Sequence, residues 1–424
     1  MKNLLRKLFL QTNDVERSSY IWNAIYGIVF ALQSAVLLMV INRTNGLDDA
    51  GVFSIAYAIA TLISFIGDFG VRKYQVSDIR EENTFADYFM SRILTCSVMM
   101  LACLGAAWYG VMFNGYSLSK FVVIMLMGLV KLVESFADVF YGRLQQKGRL
   151  DVAAKANSFR IVFGMCCCSA SLILTHDLVI SSIVWVWSSF VGFCCSMLLV
   201  SPEFCTIRVH FMKVSQWRII RECLPLFIGA FLLIYLGNAS KYAIDAYMDD
   251  ASQACYNFIY MPVFAIGLLA NFVFNPVLVT MSENWDAGNV KVFHRILWKQ
   301  HGVIGGLTAL AIAVALTIGC PVLGILYHAD LSDYRMELVV LMIGGGMLAL
   351  VNFYTVVITV IRCQKHLTAG YIGVALIAWI MAGKFVQGYG IMGAAVLYTA
   401  LMTLLAIVFA GVLLICDRLE RKKC

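Results

Sequence analysis

The polypeptide alternates long apolar segments with short polar connections. Twelve such segments run over 20–42, 51–69, 88–113, 117–141, 155–175, 178–200, 223–247, 255–281, 301–327, 338–361, 368–383 and 390–416. A helix rising 1.5 Å per residue needs about 20 residues to cross a hydrocarbon core of about 30 Å. The sequence therefore predicts an all-α, polytopic membrane protein with twelve transmembrane helices. Composition agrees: 61% of residues are hydrophobic, 13% are charged and the mean hydropathy is +0.82. Such a chain is no soluble globule.

Charge sets the orientation. The odd-numbered loops and their edges hold only Arg43, Lys120, Arg335 and Lys384 of the 32 Lys and Arg residues. Lys131 and Lys241 are read as lying inside spans, and the others are assigned to the N-terminus, the even-numbered loops and the C-terminus. The odd loops carry acids instead, among them Asp48, Asp49, Asp177, Asp249, Asp250, Asp330, Asp333 and Glu337. Cationic loops stay on the cytoplasmic side, so both termini are expected inside and the protein in the plasma (inner) membrane. The net charge of +7 is the sum of these loops, suits an anionic inner leaflet and calls for no nucleic acid partner. Residues 1–19 do not resemble a cleaved signal peptide, and 3–10 are expected to form a small interfacial amphipathic helix. The 14 cysteines lie mostly within spans, without Cys-x-x-Cys spacing or a histidine cluster. They read as small packing residues, and no metal or cofactor is expected.

The loops exclude whole classes of activity. The outer connections are about two to ten residues long, too short for a catalytic or binding domain. The inner ones are basic and lack a Gly-x-x-x-x-Gly-Lys-Ser/Thr phosphate loop; His-Glu-x-x-His and Gly-x-Ser-x-Gly are also absent. Any function must then lie within the spans, which points to a transporter rather than an enzyme.

The chain divides at 201–222, a basic and partly amphipathic linker that ends before Pro225 opens the seventh span. Residues 1–200 and 223–424 each hold six spans. A short echo supports a repeat. Asp48-Asp49-Ala50 precedes Phe53-Ser54-Ile55-Ala56-Tyr57, and Asp249-Asp250-Ala251 precedes Tyr256-Asn257-Phe258-Ile259-Tyr260. Six spans return the chain to the same side, so the halves form a parallel repeat. Chance likeness between two apolar helix starts is the competing explanation.

The stretches NRTNGLDDAGVFSIAYAIATL, GDFGVRKYQVSDI, DVFYGRLQQKGRLDVAAK and KYAIDAYMDDASQACYNFIYMPVFAI resemble the polysaccharide transporter family. These are the O-antigen and capsule-type flippases of the multidrug/oligosaccharidyl-lipid/polysaccharide exporter superfamily. The resemblance covers nearly the whole chain. It implies two six-helix lobes around a central cavity, and alternating-access flipping of a polyprenyl-diphosphate-linked oligosaccharide. The implied partners are that substrate, membrane lipid, a coupling proton or sodium ion, and the polysaccharide assembly machinery, with a monomer sufficient for transport.

Ionisable residues inside a membrane are costly, and each is a functional candidate. Lys241 and Asp245, four apart in the seventh span, share a helix face. They are either an interfacial ion pair or a cavity cation for an anionic headgroup, tuned by its carboxylate. Lys131, Glu134 and Asp138 form one stripe on the fourth span, either a salt-bridge ladder or a cation-coupling site. Asp68 and Arg72 end the second span, either as interface anchors or with Asp68 joining the coupling stripe and Arg72 serving as a cavity cation for substrate or an inner gate. Arg43 ends the first span beside two acids, as a local ion pair or a cavity cation. Pro262 and Pro276 interrupt the eighth span, beside Asn271 and Asn275, and invite a kink. Gly344-Gly345-Gly346 permits close helix approach or bending, and Trp185, Trp187, Trp298 and Trp379 suit interface belts and packing. Two other activities compete with flipping. A cation-coupled multidrug exporter favours an acidic cavity, and a membrane enzyme of glycan assembly needs a catalytic cluster on an outer loop.

The topology is tested by accessibility labelling in a cysteine-depleted variant. Asp249→Cys is expected to react from outside only and Arg149→Cys from inside only. Outside labelling of Arg149→Cys overturns the orientation.

Overall fold

The computed structural model describes residues 10, 12, 14–78, 80–200, 214–361 and 365–421. The expected interfacial helix at 3–10 and most of the 201–222 linker lie outside these residues, as do the side chains of Asn275 and Pro276. Among the described residues the secondary structure is helical, with no strand. Contacts divide the chain into two compact units, Met1–Phe231 and Leu232–Cys424. Nine helical runs among the described residues are long and apolar enough to cross a membrane. This is an all-helical, multi-pass membrane protein.

Unit 1 holds α1 (Val15–Thr44), α2 (Leu47–Asp68), α3 (Val71–Ser77), α4 (Phe85–Phe113), α5 (Leu118–Gln146), α6 (Leu150–Thr175), α7 (Leu178–Val200) and the start of α8 (Val214–Tyr247). Small polar residues set where these helices begin. Asp14 accepts from the Arg17 amide, Thr84 and Asp87 form a reciprocal capping box, and Ser117 accepts from the Lys120 amide. Each satisfies backbone donors that a helix start leaves open. The short helix α3 exists because Phe69 and Gly70 both take left-handed conformations, with φ of 44° and 72°, and break the chain after Asp68. Beside α3 lies a core that includes Phe85, Phe140, Tyr141 and Phe193, joined by Ile219 and Cys223 of α8. Arg218 also donates to Asn83 Oδ1 at 2.8 Å. These contacts correct the sequence reading. Residues 214–222 are the first turns of α8 rather than a linker, and Pro225 sits inside the helix rather than opening it.

The connection from α3 to α4 is clipped to the α5–α6 turn. Glu81 accepts from Lys147 and from Arg143 Nη2 at 3.2 Å. The hydrogen bond from Lys147, with the charge of Arg143 behind it, holds the Glu81 carboxyl below the usual carboxylate range. The clip is therefore fully present above that range and is lost as the pH falls through the lowered value.

Unit 2 continues with α9 (Asp250–Asp286), α10 (Val290–Val314), a π-turn at Ala315–Gly319, α11 (Cys320–Tyr327), α12 (Arg335–Val360) and α13 (Lys365–Arg421). α9 is assigned as helix throughout Asp250–Asp286, Pro262 and Pro276 included. A proline removes one backbone donor, and the neighbouring bonds carry the helix past it. Irregularities fall at the π-turn and at Gly390. That glycine, with φ 57° and ψ −134°, interrupts α13. Gly370 before it packs against Val408 and Phe409 after it, and the Tyr371 ring meets Phe409 edge-on at 5.0 Å. The two arms of α13 therefore fold back on each other about one residue.

The Gly344-Gly345-Gly346 run explains how α12 packs. A Cβ on Gly344 would lie 2.7 Å from Tyr398 and Thr399 of α13, one on Gly345 2.9 Å from Ile266 of α9, and one on Gly346 2.3 Å from Thr308 of α10. Three helices approach one turn that has no side chains. Gly344→Val is expected to cost about 1–3 kcal/mol through overpacking, measured by thermal unfolding in detergent. Gly411→Ala, on open space in α13, is expected to hold or slightly raise stability. Equal effects at the two positions would remove the packing role.

Candidate functional site

The charged stripe on α5 faces into unit 1 and collects partners from five helices. Asp138 is its hub. The break at Phe69–Gly70 lets α3 present Arg72 to α5, where Arg72 Nη1 meets Asp138 Oδ1 at 2.8 Å. Arg72 Nε and Nη2 also donate to Gln145 Oε1 at 3.2 and 2.9 Å. Gln145 lies two turns from Asp138, on the same face of α5. Gly142 between them leaves room for this approach, since a Cβ there would lie 2.3 Å from Gln75 Oε1 and 3.3 Å from Arg72 Cγ.

The other oxygen of Asp138 belongs to Arg92 of α4, at 3.0 Å from Nη2. Arg92 is fully buried. Its Nη1 donates to the Gly67 carbonyl at 2.6 Å and lies 3.4 Å from Asp68 Oδ1. Thr95 donates to the same carbonyl at 2.7 Å. Arg92 thus caps the C-terminus of α2, where carbonyls lack helical partners, and carries the matching charge.

Further along α5, Lys131 Nζ lies 3.2 Å from Glu134 Oε2 and 3.4 Å from the Tyr57 hydroxyl. The ammonium rests over the Tyr57 and Phe30 rings, 4.8 and 5.3 Å from their centroids. Arg160 of α6, also buried, reaches Glu134 Oε2 at 4.0 Å and is held by Asn157 Oδ1 at 3.1 and 2.8 Å. The network combines four cations, Arg72, Arg92, Lys131 and Arg160, with three carboxylates, Asp68, Glu134 and Asp138, a net positive charge. Beside it a cavity of about 200 Å³ is lined by the charged Asp68, Arg72, Lys73 and Asp138 together with the apolar Phe65, Leu226, Phe227 and Ala230.

Unit 2 holds Lys241. Its ammonium is buried and lies 4.4 Å from the centroid of the Tyr260 ring. That ring is fixed: its hydroxyl donates to the Gly237 carbonyl at 3.0 Å, and Tyr398 meets it edge-on at 5.1 Å. Asp245, one turn on, is half-buried.

The structure brings five of the sequence candidates together: Asp68, Arg72, Lys131, Glu134 and Asp138. Arg43 is not among them; it is exposed at the far end of α1. Of the tryptophans, Trp185 is buried, while Trp187, Trp298 and Trp379 are exposed. Arg92 and Arg160 were missed. Counting charge by loops assigns both to the cytoplasmic set, although each lies about five residues inside an apolar segment. Their depth within 88–113 and 155–175 was the available signal.

The model of the polysaccharide biosynthesis protein family matches residues 17–285. The chain belongs to that family. Solved structures share the fold of this chain across nearly its full length. An inward closed form of the lipid II flippase MurJ aligns with a TM-score of 0.71 at 14% identity, covering 92% of this chain and 87% of that one. An inward-facing multidrug resistance MATE transporter of the MOP superfamily aligns at 0.68 and 11% identity, covering 93% and 96%. A Pyrococcus furiosus transporter of that superfamily, described as having a binding pocket of reverse polarity, aligns at 0.60 and 13%, covering 98% of each chain. No curated protein sequence matches. The protein is thus a polysaccharide biosynthesis family member with the MOP transporter fold.

Asp138 joins two guanidiniums, one of them fully buried, so its loss strands charge. Asp138→Ala is expected to destabilise by about 3–5 kcal/mol in thermal or detergent unfolding. Arg72→Ala, whose guanidinium is a quarter exposed, is expected to cost less. A reversed order would show that Asp138 does not hold the network.

Proposed function

We propose that this protein flips a polyprenyl-diphosphate-linked oligosaccharide across the cell membrane for surface polysaccharide synthesis, by alternating access. One observation carries the reading. In a family devoted to polysaccharide biosynthesis, Lys241 is a buried ammonium seated on an aromatic face. A desolvated cation is costly unless an anion or π-face meets it, and the substrate has a diphosphate to offer. Lys241 takes the role of diphosphate contact, with Asp245 tuning its charge. Lys131, Glu134, Asp138 and Asp68 act as the coupling or cavity stripe of unit 1, the coupling ion being a proton or sodium, and Arg72 as a further substrate-binding cation or inner gate. Arg43 and the Pro262–Pro276 stretch of α9 are secondary candidates for substrate contact and for gating. The chain works as a monomer within the membrane, alongside the assembly machinery that supplies its substrate.

The likeness to a structure described as a lipid II flippase supports this reading. A multidrug exporter is disfavoured because the charged network of unit 1 is net positive and the buried charge of Lys241 in unit 2 is a cation, neither suited to an organic cation. A glycan-assembly enzyme is disfavoured by outer connections too short to build a catalytic site.

Complementation of a flippase-deficient strain, with protein level checked by blot, tests the assignment. Lys241→Ala is expected to abolish flipping while the protein remains in the membrane. Lys241→Arg retains part of the activity, because charge survives and geometry changes. Asp245→Asn weakens transport less than Lys241→Ala. Normal transport by Lys241→Ala at normal abundance overturns the substrate-binding role.

A further inference from the structure

The echo between the halves puts Tyr57 and Tyr260 at equivalent places, each closing the run that follows an Asp-Asp-Ala triplet. In the structure each of these rings carries a buried ammonium. Lys131 Nζ lies 4.8 Å from the Tyr57 centroid and Lys241 Nζ 4.4 Å from that of Tyr260. The lysines are not repeat mates, since one comes from α5 and the other from α8. What the halves share is the tyrosine seat.

The seats differ in what meets the charge. Lys131 has the carboxylate of Glu134 at 3.2 Å. The same oxygen is 4.0 Å from Arg160 Nη2, and Arg160 Nη1, buried, makes no hydrogen bond among the described residues. Tyr57 lies parallel to Trp185, at 6.3 Å and 4°. Trp185 Nε1 and Ser189 Oγ, both beside Gly164, are likewise buried without a hydrogen bond. Two buried cations and further unused donors therefore share one carboxylate. Glu134 keeps about a fifth of its side chain exposed, whereas Lys131 and Arg160 are closed off. The acid is the accessible member of the cluster.

We infer that the Tyr57–Lys131–Arg160 cluster is a second anion site, built for a phosphate-type oxyanion, and that Glu134 is its internal, displaceable occupant. This rests on the reading of Lys241 as the diphosphate contact of unit 2: unit 1 holds a tyrosine-seated cation of its own. Only the unit 1 seat comes with a stopper. Displaced from Lys131, the Glu134 carboxylate stays within reach of Arg160, so neither buried charge is left without an anion.

Inorganic pyrophosphate is the probe, titrated calorimetrically into the full chain purified in detergent. The wild type is expected to bind one equivalent, at Lys241. Glu134→Gln, which keeps the shape and removes the charge, is expected to bind two. Adding Lys131→Gln to Glu134→Gln returns the count to one. Adding Lys241→Gln to Glu134→Gln removes the original site and keeps the gained one. Where Glu134→Gln does not survive purification, Glu134→Asp, shorter by one methylene, is expected to bind at the second site at least tenfold more tightly than the wild type. An unchanged count in Glu134→Gln, no tenfold gain in Glu134→Asp, or a gained site that persists without Lys131 overturns the proposal. A wild type that binds nothing, beside a Glu134→Gln that binds one equivalent lost with Lys131, would sink the Lys241 reading and leave this one standing.

Discussion

A guanidinium with no access to solvent needs acceptors inside the protein, and Arg92, whose two terminal nitrogens find them while its buried Nε makes no hydrogen bond among the described residues, sets that requirement for unit 1. It spends one nitrogen on the open carbonyl at the end of α2 and another on Asp138. The second contact places α5, and Asp138 in turn places Arg72 and hence α3. Three helices are positioned relative to α4 by one side chain. In hydrocarbon the alternative to such pairing is an unsatisfied charge, so the arrangement is specified more sharply than apolar packing alone would allow.

The same logic separates the two units. In unit 1 the cations meet carboxylates, so the polar interior is largely self-neutralised. In unit 2 Lys241 meets a π-face that is itself locked by Gly237 and Tyr398. A ring quadrupole stabilises an ammonium without quenching its charge, whereas a carboxylate does quench it. A seat that leaves the charge available is suited to an anion that must arrive and depart.

Much of this was legible in the chain. Apolar runs located the helices, because length and hydropathy are what a bilayer demands. The spacing of Lys131, Glu134 and Asp138 put them on one face, because helical period is local. Arg92 and Arg160 were not recovered, because a charge near a helix end reads as a loop charge until tertiary contacts show its depth. Pro225 misled for the opposite reason: a proline favours a first turn, but Ile219 and Cys223 upstream are buried by a core assembled from distant segments. In α9, too, helical assignment continues through two prolines. Gly390 gave little warning, since its role depends on φ and ψ rather than on any pattern of neighbours.

Gly390 has a consequence for biogenesis. The arms of α13 are joined by a single residue outside helical geometry, with no polar loop between them. A connection that short cannot reach across a headgroup layer, so the first arm cannot settle in the bilayer while the second waits outside. The insertion machinery must accept the two as one helical hairpin, already folded back through contacts such as Gly370 with Phe409. Integration of this stretch is then a single event of 57 residues rather than two successive ones.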